Sequence, residues 1–180
     1  NTLFINTNCT IHRTAGTISN VPTFNGLMHV NYPAHIAALT TGNEIPTATD
    51  RLANLTISNT NGIKANKSFT VNGVLALNAS NPNTTDGLLD MVNTYGNYAT
   101  VYSTNSTDQY NNLDSHVLTL GATASVSGNA DITGKIRRSH TFNTGTPYTF
   151  GNQNTQLTFT SVSGSAMPSS ITVVATKGDK

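Results

Sequence analysis

Residues 52–77 read LANLTISNTNGIKANKSFTVNGVLAL. Ile57, Ile63, Phe69 and Leu75 follow one another at a six-residue step, and the residues between are mostly Asn, Thr, Ser, Lys and Gly. That step is too long for an alternating hairpin and does not fit a 3.6-residue helical period. It suits a coil of short strands, each turning one or two apolar residues inward before bending at Asn or Gly. The step recurs at Leu120, Val126 and Ile132. A short, fixed apolar period with polar turns is the sequence sign of a β-solenoid, and three such steps make about one rung of roughly 18 to 25 residues.

Composition agrees with an all-β chain. Charged residues are 9 % of the 180 positions, against about 25 % in ordinary soluble proteins. Glu44 is the sole glutamate, and without Glu and Lys long solvated helices are not expected. Thr, Val, Ile, Phe and Tyr favour strands, while Asn and Gly favour turns. Asn59-Thr60-Asn61-Gly62 and Asn72-Gly73 are turn chemistry, because both residue types tolerate positive φ.

Residues 1–138 are therefore expected to form a parallel β-helix, with a loop excursion near 93–112. In residues 139–180 the character changes to longer runs, several of them alternating. These suit antiparallel strands that pack on or cap the coil. A helical turn and a loop are equally compatible with residues 35–39.

The formal net charge is +1 and the longest basic run is Lys135-Ile136-Arg137-Arg138, which argues against nucleic acid as a partner. No apolar run approaches the length of a membrane span. The first residue is Asn and no leader pattern precedes it, so a mature or excised piece is expected. The single cysteine, Cys9, permits no internal disulfide and is expected to be a small buried residue.

Two stretches carry a resemblance. TTGNEIPTATDRLANLTISNTNGIKANKSFTVNGVLAL (residues 40–77) and GNADITGKIRRSHTFNTGTPYTF (residues 128–150) resemble β-helical repeat regions of large secreted, adhesin-like surface proteins of Bacteroidetes and related bacteria. The shared features are a Gly-x-Glu-x-Pro segment before Leu-x-Asn-Leu-Thr-Ile and Val-x-Gly-x-Leu-x-Leu, and later a Gly-x-(Ile/Val)-x-Arg strand followed by Tyr-Thr-Phe-Gly. The resemblance covers residues 40–177. It implies an extracellular or cell-surface β-helix within an adhesin or appendage protein, and it transfers no catalytic residue.

Asp86, Asp90, Asp108 and Asp114 fall in neighbouring loop regions and could meet around calcium, but solvated loop carboxylates are the simpler expectation. Asp114-Ser115-His116 contains triad residue types without triad geometry. His12, His29, His35, His116 and His140 show no metal-ligand spacing. No catalytic residue, cofactor or metal site is expected.

Arg137 and Arg138 should alternate, one outward and one inward. They offer either a sugar or carboxylate contact, or a salt bridge and stacking on a tyrosine. Tyr95, Tyr98, Tyr102 and Tyr110 cluster in a polar stretch that suits glycan or protein contact. Asn8, Asn54, Asn66, Asn78, Asn83 and Asn105 head Asn-x-Ser/Thr triplets, the acceptor pattern for glycosylation. Leu3-Phe4-Ile5 and Ile171-Thr172-Val173 are apolar terminal strands with few guarding charges, hence candidate assembly strands.

The expectation is a non-enzymatic structural protein, a self-assembling surface filament or layer subunit or an adhesin stalk. Its partners are expected to be copies of itself, other surface proteins or glycans. The alternatives are a carbohydrate-binding module and, more weakly, a polysaccharide lyase-like β-helix enzyme.

Overall fold

A computed structural model describes residues 2–80, 89–91, 116–152, 154–161 and 166–175. The fold is all-β, with no helix among the described residues. Its strands run β1 (Phe4–Ile5), β2 (Thr10–His12), β3 (Thr23–Phe24), β4 (Met28–Tyr32), β5 (Leu39–Thr40), β6 (Leu52–Ile57), β7 (Ile63–Lys64), β8 (Phe69–Val71), β9 (Val74–Leu77), β10 (Leu89–Asp90), β11 (Val117–Leu120), β12 (Ser125–Gly128), β13 (Ile132–Ser139), β14 (Pro147–Thr149), β15 (Gln156–Thr158) and β16 (Ser170–Ala175).

Most pairing is parallel. One five-stranded sheet has the order β12-β9-β6-β4-β2, and every neighbour in it is parallel. A seven-stranded sheet has the order β5-β7-β10-β13-β11-β8, again parallel, with β16 added antiparallel on β13. Two small sheets complete the set, β1 with β3 in parallel and β14 with β15 antiparallel.

The six-residue step is the distance from one short strand to the next. Ile57 ends β6, Ile63 and Phe69 open β7 and β8, and Leu75 lies in β9. Leu120, Val126 and Ile132 occupy β11, β12 and β13 in the same way. All seven are buried, none above 6 % exposed. Parallel registry stacks them in columns. Ile11, Val30, Leu55, Leu75 and Val126 are successive partners across the five-stranded sheet. Ile63, Leu89 and Ile132 are successive partners in the seven-stranded sheet.

Turn residues carry the backbone between these strands. Asn59 Oδ1 accepts the Asn61 N–H at 2.8 Å, and the Gly62 N–H reaches Asn59 O at 3.1 Å with φ 72 at Gly62. The Asn59 amide also donates to Ala37 O at 3.0 Å, so a fully buried asparagine is satisfied. The register of β4 on β6 shifts between Met28 and His29, leaving Ala53 unmatched. This bulge lets Leu52 and Leu55, three apart, both face the core. At Gly128, φ is +91 and an added Cβ would collide with the Leu77 carbonyl of the neighbouring strand.

The C-terminal part differs from the expectation in detail. β13 runs from Ile132 to Ser139 and pairs in parallel with β10 and β11. The division placed at 138 thus falls inside a strand. Strong antiparallel pairing belongs to β16, which matches β13 from Ser139↔Ser170 to Gly134↔Ala175. In β15, which pairs antiparallel with β14, all three residues are exposed. Residues 35–38 form a loop, not a helical turn.

Candidate functional site

The most organised polar constellation is a buried cluster of Arg13, Tyr32 and Glu44. Arg13 follows β2, Tyr32 ends β4, and Glu44 sits in the loop between β5 and β6. Arg13 is 7 % exposed and Glu44 is 0 % exposed. Glu44 Oε1 accepts from Arg13 Nη1 at 2.6 Å, from the Tyr32 hydroxyl at 2.5 Å and from the Gly42 N–H at 2.8 Å. The guanidinium also donates to Thr40 O at 2.7 Å and, through Nε and Nη2, to Gly16 O at 2.9 and 2.6 Å.

Burial pushes the Glu44 carboxyl up. The hydrogen bonds from Tyr32, its own N–H and Gly42, together with the Arg13 charge, outweigh that push and hold it below the ordinary carboxylate range. The same burial, with the Glu44 charge beside it, raises the Tyr32 phenol far above its usual range and keeps it a neutral donor. Burial lowers the Lys67 ammonium, and the Glu44 charge opposes that shift. The cluster is held by internal hydrogen bonds throughout, and only Glu44 Oε2 lacks a partner. This latch ties the end of β2 to the end of β4 and to the loop after β5.

A second buried cation lies at Arg138, 2 % exposed. Its nitrogens donate to the carbonyls of Thr149 (3.1 Å), Gly121 (3.1 Å) and Ala124 (2.8 Å), and to Thr149 Oγ1 (3.2 Å). The guanidinium stands 5.9 Å from the Tyr148 ring centre and 5.7 Å from that of Phe150. Phe142 packs edge-on against Tyr148 at 4.9 Å. Burial lowers this guanidinium's pKa, and the neighbouring Tyr148 acts in the opposite sense.

The alternation of Arg137 and Arg138 is as the strand requires, with Arg137 exposed and reaching Thr172 Oγ1 at 3.3 Å. The glycan or partner contact considered for Arg138 is corrected by its burial, since all its directed hydrogen bonds end on its own chain. Asp90, expected in solvent, is 4 % exposed on β10 and accepts from Thr133 Oγ1 at 2.9 Å. Cys9, expected to be buried, is exposed.

Among the sequon residues, Asn8, Asn66 and Asn78 are exposed. Asn54 is half-buried, and its Oδ1 accepts the Val74 N–H at 2.8 Å where a side chain on Gly73 would otherwise sit. The terminal strands also find partners. β16 lies along β13 with Ile171 and Val173 half-buried against the core. β1 lies along β3, with Ile5 buried but Leu3 and Phe4 exposed by 48 % and 58 %. Tyr95, Tyr98, Tyr102, Tyr110, Asn83, Asn105, Asp86, Asp108 and Asp114 lie outside the described residues.

Among the described residues no group of three His, Cys, Asp or Glu side chains could hold a metal ion, and no helix is long and apolar enough to cross a membrane. Large apolar side chains exposed among the described residues include Ile36, Val74, Leu157 and Val174, and four more near the first strands. Leu3, Phe4, Val21 and Leu27 are all exposed, by 48, 58, 69 and 45 %. They accompany β1, β3 and the approach to β4. In the same part of the chain β2 has β4 as its sole strand neighbour among the described residues. The sequence singles out Leu3 and Phe4 as assembly candidates here, but not Val21, which stands between Asn20 and Pro22, nor Leu27, which opens the apolar run Leu27-Met28-His29-Val30. No family model, curated protein or solved structure matches this chain.

Proposed function

We propose that the parallel strands are successive rungs of a β-solenoid, and that the chain is a non-enzymatic extracellular subunit that joins copies of itself head to tail. The reading of a bacterial surface filament or layer belongs to the same proposal and rests on the sequence resemblance. The solenoid reading is supported by the columns: Ile11, Val30, Leu55 and Leu75 follow one another at about 19 to 25 residues in one register, and Val126 joins the column after a longer excursion.

The observation that carries assembly is the asymmetry of the two ends. At one end β16 lies along the outer side of β13. At the other, β2 is an open edge beside exposed Leu3, Phe4, Val21 and Leu27. The five-stranded sheet ends in β2 on one side and in β12 on the other. A second copy whose β2 lay parallel to β12 would continue the column from Val126 to the next Ile11. Main-chain hydrogen bonds would supply the affinity. Such a contact is heterologous and does not close on itself, so it builds a linear polymer.

The test is sedimentation and negative-stain imaging of the chain against a Leu3→Lys/Phe4→Lys variant. Both positions are exposed, so the fold is spared while the edge gains guarding charge. The chain should form linear polymers as concentration rises, and the variant should remain a folded monomer with an unchanged circular dichroism spectrum. A chain that stays monomeric at every concentration, or a variant that polymerises equally, overturns the proposal.

A further inference from the structure

The sequence contains three Asn-Gly steps, Asn25-Gly26, Asn61-Gly62 and Asn72-Gly73. An asparagine followed by glycine is open to attack by the next backbone nitrogen on its own side-chain carbonyl, because glycine offers no Cβ to shield that nitrogen or stiffen the chain. Whether the reaction occurs in a folded protein depends on two groups being free, the Asn side chain and the following N–H.

The fold protects two of the three. The Asn72 amide donates to Thr49 O at 2.8 Å and Leu52 O at 3.2 Å, and the Gly73 N–H is held by Ala53 O at 2.7 Å. The Gly62 N–H is held by Asn59 O at 3.1 Å, and the Asn61 N–H by Asn59 Oδ1 at 2.8 Å. Asn25 is different. It is exposed, and its amide makes one hydrogen bond, to the exposed Asn6 Oδ1 at 3.0 Å. Among the described residues the Gly26 N–H makes no hydrogen bond. Glycine is also fixed at this position, because a Cβ on Gly26 would collide with Thr7 Oγ1.

We propose that Asn25 is a self-modification site, converting through a cyclic imide to aspartate and isoaspartate. The Gly26 nitrogen attacks Asn25 Cγ and a C–N bond forms. The Cγ–Nδ2 bond breaks, and ammonia leaves with the proton from Gly26. Water then opens the imide at either carbonyl, giving aspartate or, with the backbone routed through the side chain, isoaspartate. The net change is gain of water and loss of ammonia, with no oxidant or reductant.

The product carries a carboxylate where the amide donated to Asn6 Oδ1, so two acceptors face each other. The present side-chain tie between the segments following β1 and β3 is broken, and a new one forms only when the exposed Asn6 amide turns to donate from Nδ2. What remains there is the Asn25 N–H to Ile5 O bond at 2.8 Å, and isoaspartate displaces the backbone that makes it. The modification thus adds negative charge and loosens the chain beside exposed Leu3 and Phe4.

The test is peptide mapping by mass spectrometry of the folded chain during incubation in mildly alkaline buffer, with the urea-unfolded chain and an Asn25→Gln variant alongside. In the folded chain, the mass gain of an amide-to-acid conversion and the isoaspartate signal should accumulate at Asn25 before Asn61, with Asn72 unchanged. In urea the three steps should react at similar rates, and in the Asn25→Gln variant the early signal should vanish. Reaction first at Asn61 or Asn72 in the folded chain, or an Asn25 that reacts only in urea, overturns the proposal.

Discussion

Replacing Glu44 by Gln tests the idea that the chain's sole glutamate is a latch. The shape is kept and the charge is removed. Glu44 is 0 % exposed and Arg13 is 7 % exposed, with 2.6 Å between them. Removing one partner of a buried ion pair costs about 3–5 kcal/mol. The guanidinium keeps the Thr40 and Gly16 carbonyls, which places Glu44→Gln near the lower end, about 3 kcal/mol. Arg13→Met is the harsher change. It leaves a buried carboxylate facing only the Tyr32 hydroxyl and backbone N–H groups, so its cost lies near the upper end, about 4 to 5 kcal/mol. The double variant should cost less than the two singles together, by about 1 to 3 kcal/mol, because the interaction removed is shared. Urea unfolding of the four proteins gives the cycle. A Glu44→Gln variant within about 1 kcal/mol of the parent, or strictly additive singles, would refute the latch.

The pH profile of stability should have limbs on both sides. Glu44 is held below its ordinary value of 4.5, so its contribution is present above about that pH and is lost as pH falls through the lower folded value. In Arg13→Met the acid limb should move to higher pH. Tyr32 is held above its ordinary value of 10.0, so its contribution is intact below that pH and is lost as pH rises beyond it; a Tyr32→Phe variant followed by alkaline unfolding should lack this limb. Phe69, 4 % exposed, should cost about 3–5 kcal/mol on truncation to Ala by chemical denaturation. Gly128→Ala should be far more damaging than Gly145→Ala. Both have positive φ, but a Cβ meets the Leu77 carbonyl at Gly128 and nothing within 4 Å at Gly145, so Gly145→Ala should lose only about 1–2 kcal/mol. Equal losses by thermal unfolding would refute the close-approach argument.

The parallel sheets were legible because each short strand turns a large apolar residue inward and the next does so six residues later. Ile57, Ile63, Phe69 and Leu75 sit on four consecutive strands. The Asn59-Gly62 turn was legible for the same local reason, since its hydrogen bonds close within the turn. The latch was not legible. Tyr32, Glu44 and Arg13 are brought together by the stacking of β4 beside β2 and by the loop leaving β5, and nothing in their sequence spacing encodes that. The one available signal was a lone Glu in a carboxylate-poor chain, set in the Gly-x-Glu-x-Pro segment, and neither feature names its partners. Asp90 lies in the apolar run Leu88-Leu89-Asp90-Met91-Val92, which already pointed to a buried strand, and β10 is enclosed between β7 and β13. Asn54 shows the limit of a motif: the triplet is present, but the amide is used inside the sheet.

Scarce charge and abundant asparagine follow from one constraint. In a stack of parallel strands the ladder satisfies the straight segments, while the bends must find partners for carbonyls and N–H groups elsewhere. Within the stack a neutral amide does this. Asn72 serves Thr49 and Leu52, and Asn129 exchanges two hydrogen bonds with Ala79. Toward the two ends of the five-stranded sheet the structure uses arginine as well. Arg13, after the edge strand β2, serves Gly16 and Thr40. Arg138, on β13, serves Gly121, Ala124 and Thr149. A planar fork of five donors reaches several carbonyls at once, which an amide with two cannot. The two buried arginines differ in how their charge is balanced. Arg13 is paired with Glu44, whereas Arg138 is surrounded by carbonyl dipoles and the faces of Tyr148 and Phe150. At the end of Arg138, β16 covers β13, and at the end of Arg13 the strand β2 is left open.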